Sequence, residues 1–175
     1  MRTVTFGVAN SLDNYIARKY DSVDWLLWSD DMKSLMTDFW KNIDTVLMGR
    51  KTYEVSLKHG RGSGGTPGMK TYVFSRTIKE SDDKNVEIIC EDVADFLKKL
   101  KNHDGKDICV MGGGELAKPL FEANLIDEVG LNIHPILLGS GISLFLEMKH
   151  QIDLELVECR SFKNGCVYVS YQVKK

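Results

Sequence analysis

The hydrophobic and polar positions fall into short alternations and compact apolar runs, separated by stretches with helical spacing. Arg2 to Ala9 alternates, which places Val4, Phe6 and Val8 on one face of an expected strand. Asp44 to Met48 and Ile108 to Met111 are solid apolar runs, the pattern of strands buried on both faces. Lys70 to Phe74, Val86 to Cys90 and Asp127 to Pro135 read as further strands. Helical spacing appears at Met32, Leu35, Met36 and Phe39, predicting a helix from Asp30 to about Asn42 with Ser29 as its cap. Val93, Phe96, Leu97 and Leu100 mark a second helix, and Leu116, Leu120 and Phe121 a third that Glu115 opens and Asn124 stops. The chain closes with Leu154 to Phe162 and Val167 to Val173, two strands joined at Lys163-Asn164-Gly165 as a hairpin.

Strands that alternate with helices and end in a hairpin predict an α/β sheet, parallel in its middle and antiparallel at one edge. The length of 175 residues suits a single domain over residues 1–175. A net charge of −2 gives no field that would steer the whole molecule to nucleic acid or an anionic membrane. No run approaches the roughly 18 apolar residues of a membrane span. Met1 to Val4 leads straight into the first expected strand, so no signal peptide is expected and the expected location is cytoplasmic. The four cysteines lack C-x-x-C spacing, which argues for reduced thiols and against a metal site. His59 to Gly68, the glycine-rich run, is expected to be a mobile loop.

The chemistry concentrates where strands end. Asp107 to Phe121 reads strand, then Gly112-Gly113-Gly114, then a helix, an arrangement whose free amides and helix dipole favour a phosphate. Gly49-Arg50-Lys51-Thr52 repeats that logic after another strand, and Ser75-Arg76-Thr77 follows a third. In such sheets ligands bind beyond the carboxyl ends of the strands. Each segment also has a plain reading: the glycines only turn, Arg50 and Lys51 are solvated, and Ser75 caps its own turn. Together the three outline an elongated anionic ligand, of the shape of a nicotinamide dinucleotide carrying a 2′-phosphate.

Five segments taken in order resemble the dihydrofolate reductase-like superfamily, within it the group similar to the reductase domain of riboflavin-biosynthesis deaminase-reductases. They are Ser11 to Ala17, Asp44 to Glu54, Val73 to Thr77, Val110 to Glu115 and Pro135 to Gly141. The resemblance implies a three-layer α/β fold, with helices on both faces of a mixed, mostly parallel sheet and an antiparallel C-terminal hairpin. It implies NADPH as cofactor, held by Gly49, Arg50 and Thr52 on the pyrophosphate side. Ser75, Arg76 and Thr77 would take the adenosine 2′-phosphate, and Gly112, Gly113, Gly114 and Glu115 the pyrophosphate and nicotinamide half. It also implies a homodimer. Met111 departs from the acid that riboflavin-pathway reductases usually carry before the glycines, and Asn14 stands at a family glycine.

Reducing a C=N bond needs a proton as well as a hydride. Asp31 is the position the resemblance favours for the donor, shortly after Trp28, and Asp13 at the end of the first strand is its rival. Both have plain readings, Asp31 on a helix dipole and Asp13 in an Asx-turn. Asn10, Trp28 and Tyr53 are the expected substrate contacts, while His134 before Pro135 is expected to be structural. The expectation is an NADPH-dependent reductase of a small pterin- or pyrimidine-like heterocycle. The alternative is a non-catalytic NADP(H)-binding or redox-sensing homodimer.

Overall fold

The structure, a computed structural model, describes residues 1–58 and 68–175, so most of the glycine-rich run lies outside the described residues. Strand β1 (Val4–Ser11) leads to a short β2 (Tyr15–Ala17), helix α1 (Asp30–Lys41), β3 (Ile43–Gly49) and α2 (Arg50–Lys58). β4 (Lys70–Phe74), β5 (Val86–Ile89), α3 (Val93–Lys101), β6 (Asp107–Met111) and α4 (Gly114–Glu122) follow. The chain ends with β7 (Glu128–His134), a two-residue β8 (Ile142–Ser143), β9 (Leu154–Ser161) and β10 (Val167–Val173). Eight strands form one sheet in the order β5-β4-β3-β6-β1-β7-β10-β9. All pairings from β5 to β7 are parallel, and β7–β10 and β10–β9 are antiparallel.

The solid apolar runs are explained by two buried faces. Ile108 and Val110 of β6 join Val4 and Phe6 in a core under α3 and α4, through Leu97, Leu100, Leu116, Leu120 and Phe121. Cys109, between them in sequence, points to the opposite layer with Val46, Met48 and Val73, which Tyr53 of α2 and Phe39 and Trp40 of α1 cover. Burying each large apolar side chain contributes about 1.5–3 kcal/mol. Burial pushes the Cys109 thiol up to about 12, so this cysteine is packing and no nucleophile.

Local signals set the boundaries. Asp92 caps α3 by accepting from the amides of Ala94 and Asp95. Asn124, at φ 55°, ends α4 in the left-handed region, and the Leu125 amide returns to the Leu120 carbonyl at 3.0 Å. Ser29 stands at the start of α1, but its hydroxyl caps no amide. Arg2 is not part of β1; it leaves the sheet to pair with Asp44 and bond Thr45. The β2–β8 pair was not expected, because strands of three and two residues carry no readable period. Among the described residues no helix is long and apolar enough to cross a membrane.

The topology selects one place for a ligand. β3 continues into α2 on one face, while its neighbour β6 continues into α4 on the other. The connections therefore part between their carboxyl ends, leaving a crevice there.

Candidate functional site

The crevice is floored by the two glycine turns. Gly112, at φ 145°, lies so close to the α2 turn that a Cβ on it would be 3.2 Å from Thr52 Oγ1 and 3.7 Å from the Gly49 nitrogen. A Cβ on Gly113 would come within 2.9 Å of Ile16 Cδ1, and one on Gly114 within 2.7 Å of Leu146 Cγ and 2.9 Å of its backbone nitrogen. Packing of the segment after β8 against the turn thus demands glycine at Gly114, where the close atoms include backbone, before any ligand is considered, whereas at Gly113 the close atom is the movable tip of Ile16. Gly49 differs, because a Cβ there would meet nothing within 4 Å. Gly113 is the cap residue of α4 and offers no side-chain acceptor; the Leu116 amide returns to the Gly113 carbonyl at 3.1 Å, which leaves the Gly114 and Glu115 amides without a cap from it. Glu115 sits in the same turn and is exposed.

Cations and hydroxyls stand around this floor. Arg50 reaches Glu54 one turn along α2 at 3.0 Å, a half-exposed pair of a kind worth about 0.3–0.5 kcal/mol and easily exchanged for a phosphate. Thr52 faces Gly112, and Lys51 lies 3.8 Å from Asp21. At the end of β4 the Ser75 hydroxyl accepts from the amides of Thr77 (3.2 Å) and Ile78 (2.9 Å), which sets the turn that exposes Arg76. Arg76 makes no ion pair among the described residues. The Cys90 thiol donates to the Ser75 carbonyl at 3.2 Å from the next strand end. The open face at Gly49, the uncapped α4 amides and the free guanidinium of Arg76 fit an extended phosphate-bearing ligand.

The two carboxylates expected to donate a proton are committed elsewhere. Asp13 accepts from the Ser11 hydroxyl (2.6 Å) and from the amides of Leu138 (3.0 Å) and Gly139 (2.7 Å). The Ser11 hydroxyl is the largest influence on its carboxyl; burial, the next, raises it, and the Gly139 and Leu138 amides help bring it below the usual range. Asp13 ties the β1–β2 turn to the loop after β7 and holds no proton to give. Asp31 is exposed at the start of α1, where the Ser29 hydroxyl and the Lys163 amide, 3.2 Å away, also keep its carboxyl low. A general acid needs the opposite shift. In this structure both carboxylates serve as structural acceptors.

The expected substrate contacts divide. Tyr53 is 4% exposed in the core, with its hydroxyl 2.7 Å from Ser81, and does not reach the crevice. Trp28 is 54% exposed, whereas its neighbour Trp25 is the buried indole. Asn10 is buried and braces the β1–β2 turn, giving its amide to the Ser11 carbonyl (2.9 Å) and to Asn14 Oδ1 (3.3 Å). Asn14 is at φ 62°, the conformation a glycine would supply there.

Sequence reasoning missed the polar wall on the other face of β1 and β7. His134 is 1% exposed and stands edge-on to Trp25, with ring centroids 5.1 Å apart. Its Nε2, Trp25 Nε1 and Asn132 Oδ1 are buried without a hydrogen-bond partner among the described residues. Such an atom costs about 1–3 kcal/mol when left unsatisfied. The only advance signal was a histidine directly before a strand-end proline.

Comparison with known proteins agrees with this architecture. A family model described as the RibD C-terminal domain matches residues 2–168. The uncharacterized protein YyaP of Bacillus subtilis strain 168 is 34% identical over 97% of this chain and 94% of its own length. YwjB of the same organism, also uncharacterized, is 33% identical over 92% of both. Among solved structures, a protein named for riboflavin biosynthesis from Shewanella sp. PV-4 superposes with a TM-score of 0.82 at 24% identity, over 100% of both chains. The Thermotoga maritima diaminohydroxyphosphoribosylaminopyrimidine deaminase/5-amino-6-(5-phosphoribosylamino)uracil reductase gives 0.70 at 17% identity, and this chain covers 57% of it.

Proposed function

Because the chain belongs to the RibD C-terminal domain family, we propose that it is an NADPH-dependent reductase of a small pterin- or aminopyrimidine-like heterocycle. The observation that carries the reading is the crevice between β3 and β6, open at Gly49 and flanked by the α4 amides and the unpaired Arg76. In this reading Gly49, Arg50, Thr52 and the amides from Gly113 to Glu115 bind the pyrophosphate. Arg76 and the Ser75–Thr77 turn bind the adenosine 2′-phosphate. When bound, NADPH supplies the hydride. The chain holds the ring beside it and excludes water, with Ala9, Ser11, Asn132 and His134 as the ends of the central strands there. Met111 lies half-buried against the core and offers the substrate no carboxylate, which favours a heterocycle without a ribosyl group to bind.

The test is a titration with NADPH and with NADH, read as energy transfer from the tryptophans to the reduced nicotinamide. Micromolar binding of NADPH with clear discrimination against NADH is expected, followed by NADPH oxidation across a panel of dihydropterins and aminopyrimidines. Binding of neither dinucleotide would remove the proposal.

The commitment of Asp13 and Asp31 favours a second reading, a non-catalytic NADP(H)-binding or redox-sensing module. It predicts NADPH binding with no turnover of any heterocycle. Under either reading we expect a homodimer, supported by the exposed Leu154, Leu156 and Val157 of edge strand β9. Sedimentation should then show a dimer that Leu156→Asp dissociates.

A further inference from the structure

Tyr20 and Asp21 serve none of the roles assigned so far. Among the described residues they are the one pair of consecutive non-glycine residues in the left-handed region, with φ 67° and 62°. An aromatic side chain disfavours that backbone, which persists only where the surroundings impose it. Here they do. The Arg18 amide donates to the Ser22 carbonyl at 2.8 Å, and Asp24 accepts from Arg18 Nε and from the Ser22 hydroxyl, each at 2.8 Å, closing the base of the turn. Packing does not account for the ring, because Tyr20 is 96% exposed. Glycine would suit this backbone better, so the ring itself is what the position adds. Strain held without packing belongs to ligand clamps and active sites more than to ordinary turns.

The turn is anchored on both sides of the crevice. β2, which leads into it, is fixed by its pairing with β8 and sets Ile16 Cδ1 against Gly113, on the β6 side. Asp21 reaches Lys51, 3.8 Å away in the first turn of α2, on the β3 side. The chain from Ile16 to Asp21 thus bridges the two glycine turns, with Tyr20 beside its second anchor. We propose that Tyr20 is a cofactor-binding residue, its ring lying on the dinucleotide where that ligand passes between the glycine turns, and that the pyrophosphate takes Lys51 from Asp21. The proposal rests on the dinucleotide reading above and adds contacts to the part that NADPH and NADH share. The half-exposed Asp21–Lys51 pair is weak and yields to a phosphate. The ring excludes water beside the phosphate contacts, which strengthens them.

The experiment titrates NADPH and NADH into wild type, Tyr20→Gly, Tyr20→Phe and Asp21→Asn, with a melting curve of each free protein. Tyr20→Gly should melt at or above the wild-type temperature, since it relieves a left-handed residue and removes an exposed ring, yet bind both dinucleotides about 3- to 10-fold more weakly. Tyr20→Phe should bind as wild type does. Asp21→Asn frees Lys51 and should tighten both dinucleotides by up to about fivefold, an effect that fades at high salt. Unchanged affinity in Tyr20→Gly, or a loss confined to NADPH, overturns the proposal. So does a melting temperature well below wild type in that variant, which would assign the ring to folding. Unchanged or weaker binding by Asp21→Asn overturns the exchange at Lys51. Each of these results leaves the cofactor reading standing, whereas failure of wild type to bind either dinucleotide removes that reading and this proposal with it.

Discussion

Gly114→Ala separates two reasons for the triple glycine. At the first position of α4, alanine gains about 1 kcal/mol of helix propensity over glycine. Its Cβ, however, would lie 2.7 Å from Leu146 Cγ, 2.9 Å from Leu146 nitrogen and 3.1 Å from the Leu144 carbonyl oxygen. The last two are backbone atoms and cannot swing aside. Overpacking of this kind costs about 1–3 kcal/mol, so the net effect is a loss of up to about 2 kcal/mol. In a domain of this size that lowers the melting temperature by up to about 8 °C. Gly49→Ala is the control: it meets nothing within 4 Å and has no left-handed φ. It should hold or raise stability by about 0.4–1 kcal/mol and, by narrowing the crevice, weaken NADPH. The assay is urea unfolding of both variants alongside NADPH titration. A Gly114→Ala protein as stable as wild type but unable to bind NADPH would refute the packing argument, and would mean the glycine is there for the ligand.

Arg76→Gln should weaken NADPH by about 10- to 100-fold, the share of a charge-assisted contact, and leave NADH unchanged; equal losses for both would take Arg76 off the 2′-phosphate. Cys90 is exposed beside the Ser75–Thr77 turn, so NADPH should slow its alkylation while NADH does so weakly, read by mass spectrometry. Asp127 pairs with the buried Lys101 at 2.6 Å and with Lys175, and removing one partner of such a pair costs about 3–5 kcal/mol, the loss expected for Asp127→Asn. Burial raises its carboxyl, but the two lysines and the Val4 amide outweigh this and hold it below 3.8. Its contribution is therefore complete above that pH and is lost as pH falls through the lower folded value, so Asp127→Asn should flatten the acid limb of the stability profile. An unchanged limb in acid unfolding would contradict this.

Most of the fold was legible because each buried strand carries its own signal. Ile108 to Met111 and Asp44 to Met48 read as two-faced strands, and both are central in the sheet. The hairpin turn at Lys163 to Gly165 and the stop at Asn124 follow from backbone conformations those residues tolerate, φ 87° at Gly165 and 55° at Asn124. The strand-end segments were also legible, since Gly49, Arg76 and Gly112 needed only strand order to share one edge. What sequence could not show is which polar side chain has its partner inside the protein. Asp13 spends its oxygens on Ser11, Leu138 and Gly139, residues distant in sequence except the first, and nothing in the local pattern announces the other two.

The same limit applies to both acids. A turn at a strand end needs acceptors for its free amides, and aspartate is suited to that task. The residue type expected of a proton donor is thus the type the turns themselves require, and only three-dimensional bookkeeping of donors separates the two. That bookkeeping shows both carboxylates engaged by donors of the protein itself. Family segments that match in order, such as Pro135 to Gly141, fix where the backbone goes, but the residue just before them carries this chain's own choice. With Asp13 and Asp31 engaged as acceptors, proton delivery is expected from solvent or from the ligand's own ring. The rate of NADPH oxidation by Asp31→Asn should then keep the wild-type pH profile, whereas loss of an acidic limb in that variant would return Asp31 to the chemistry.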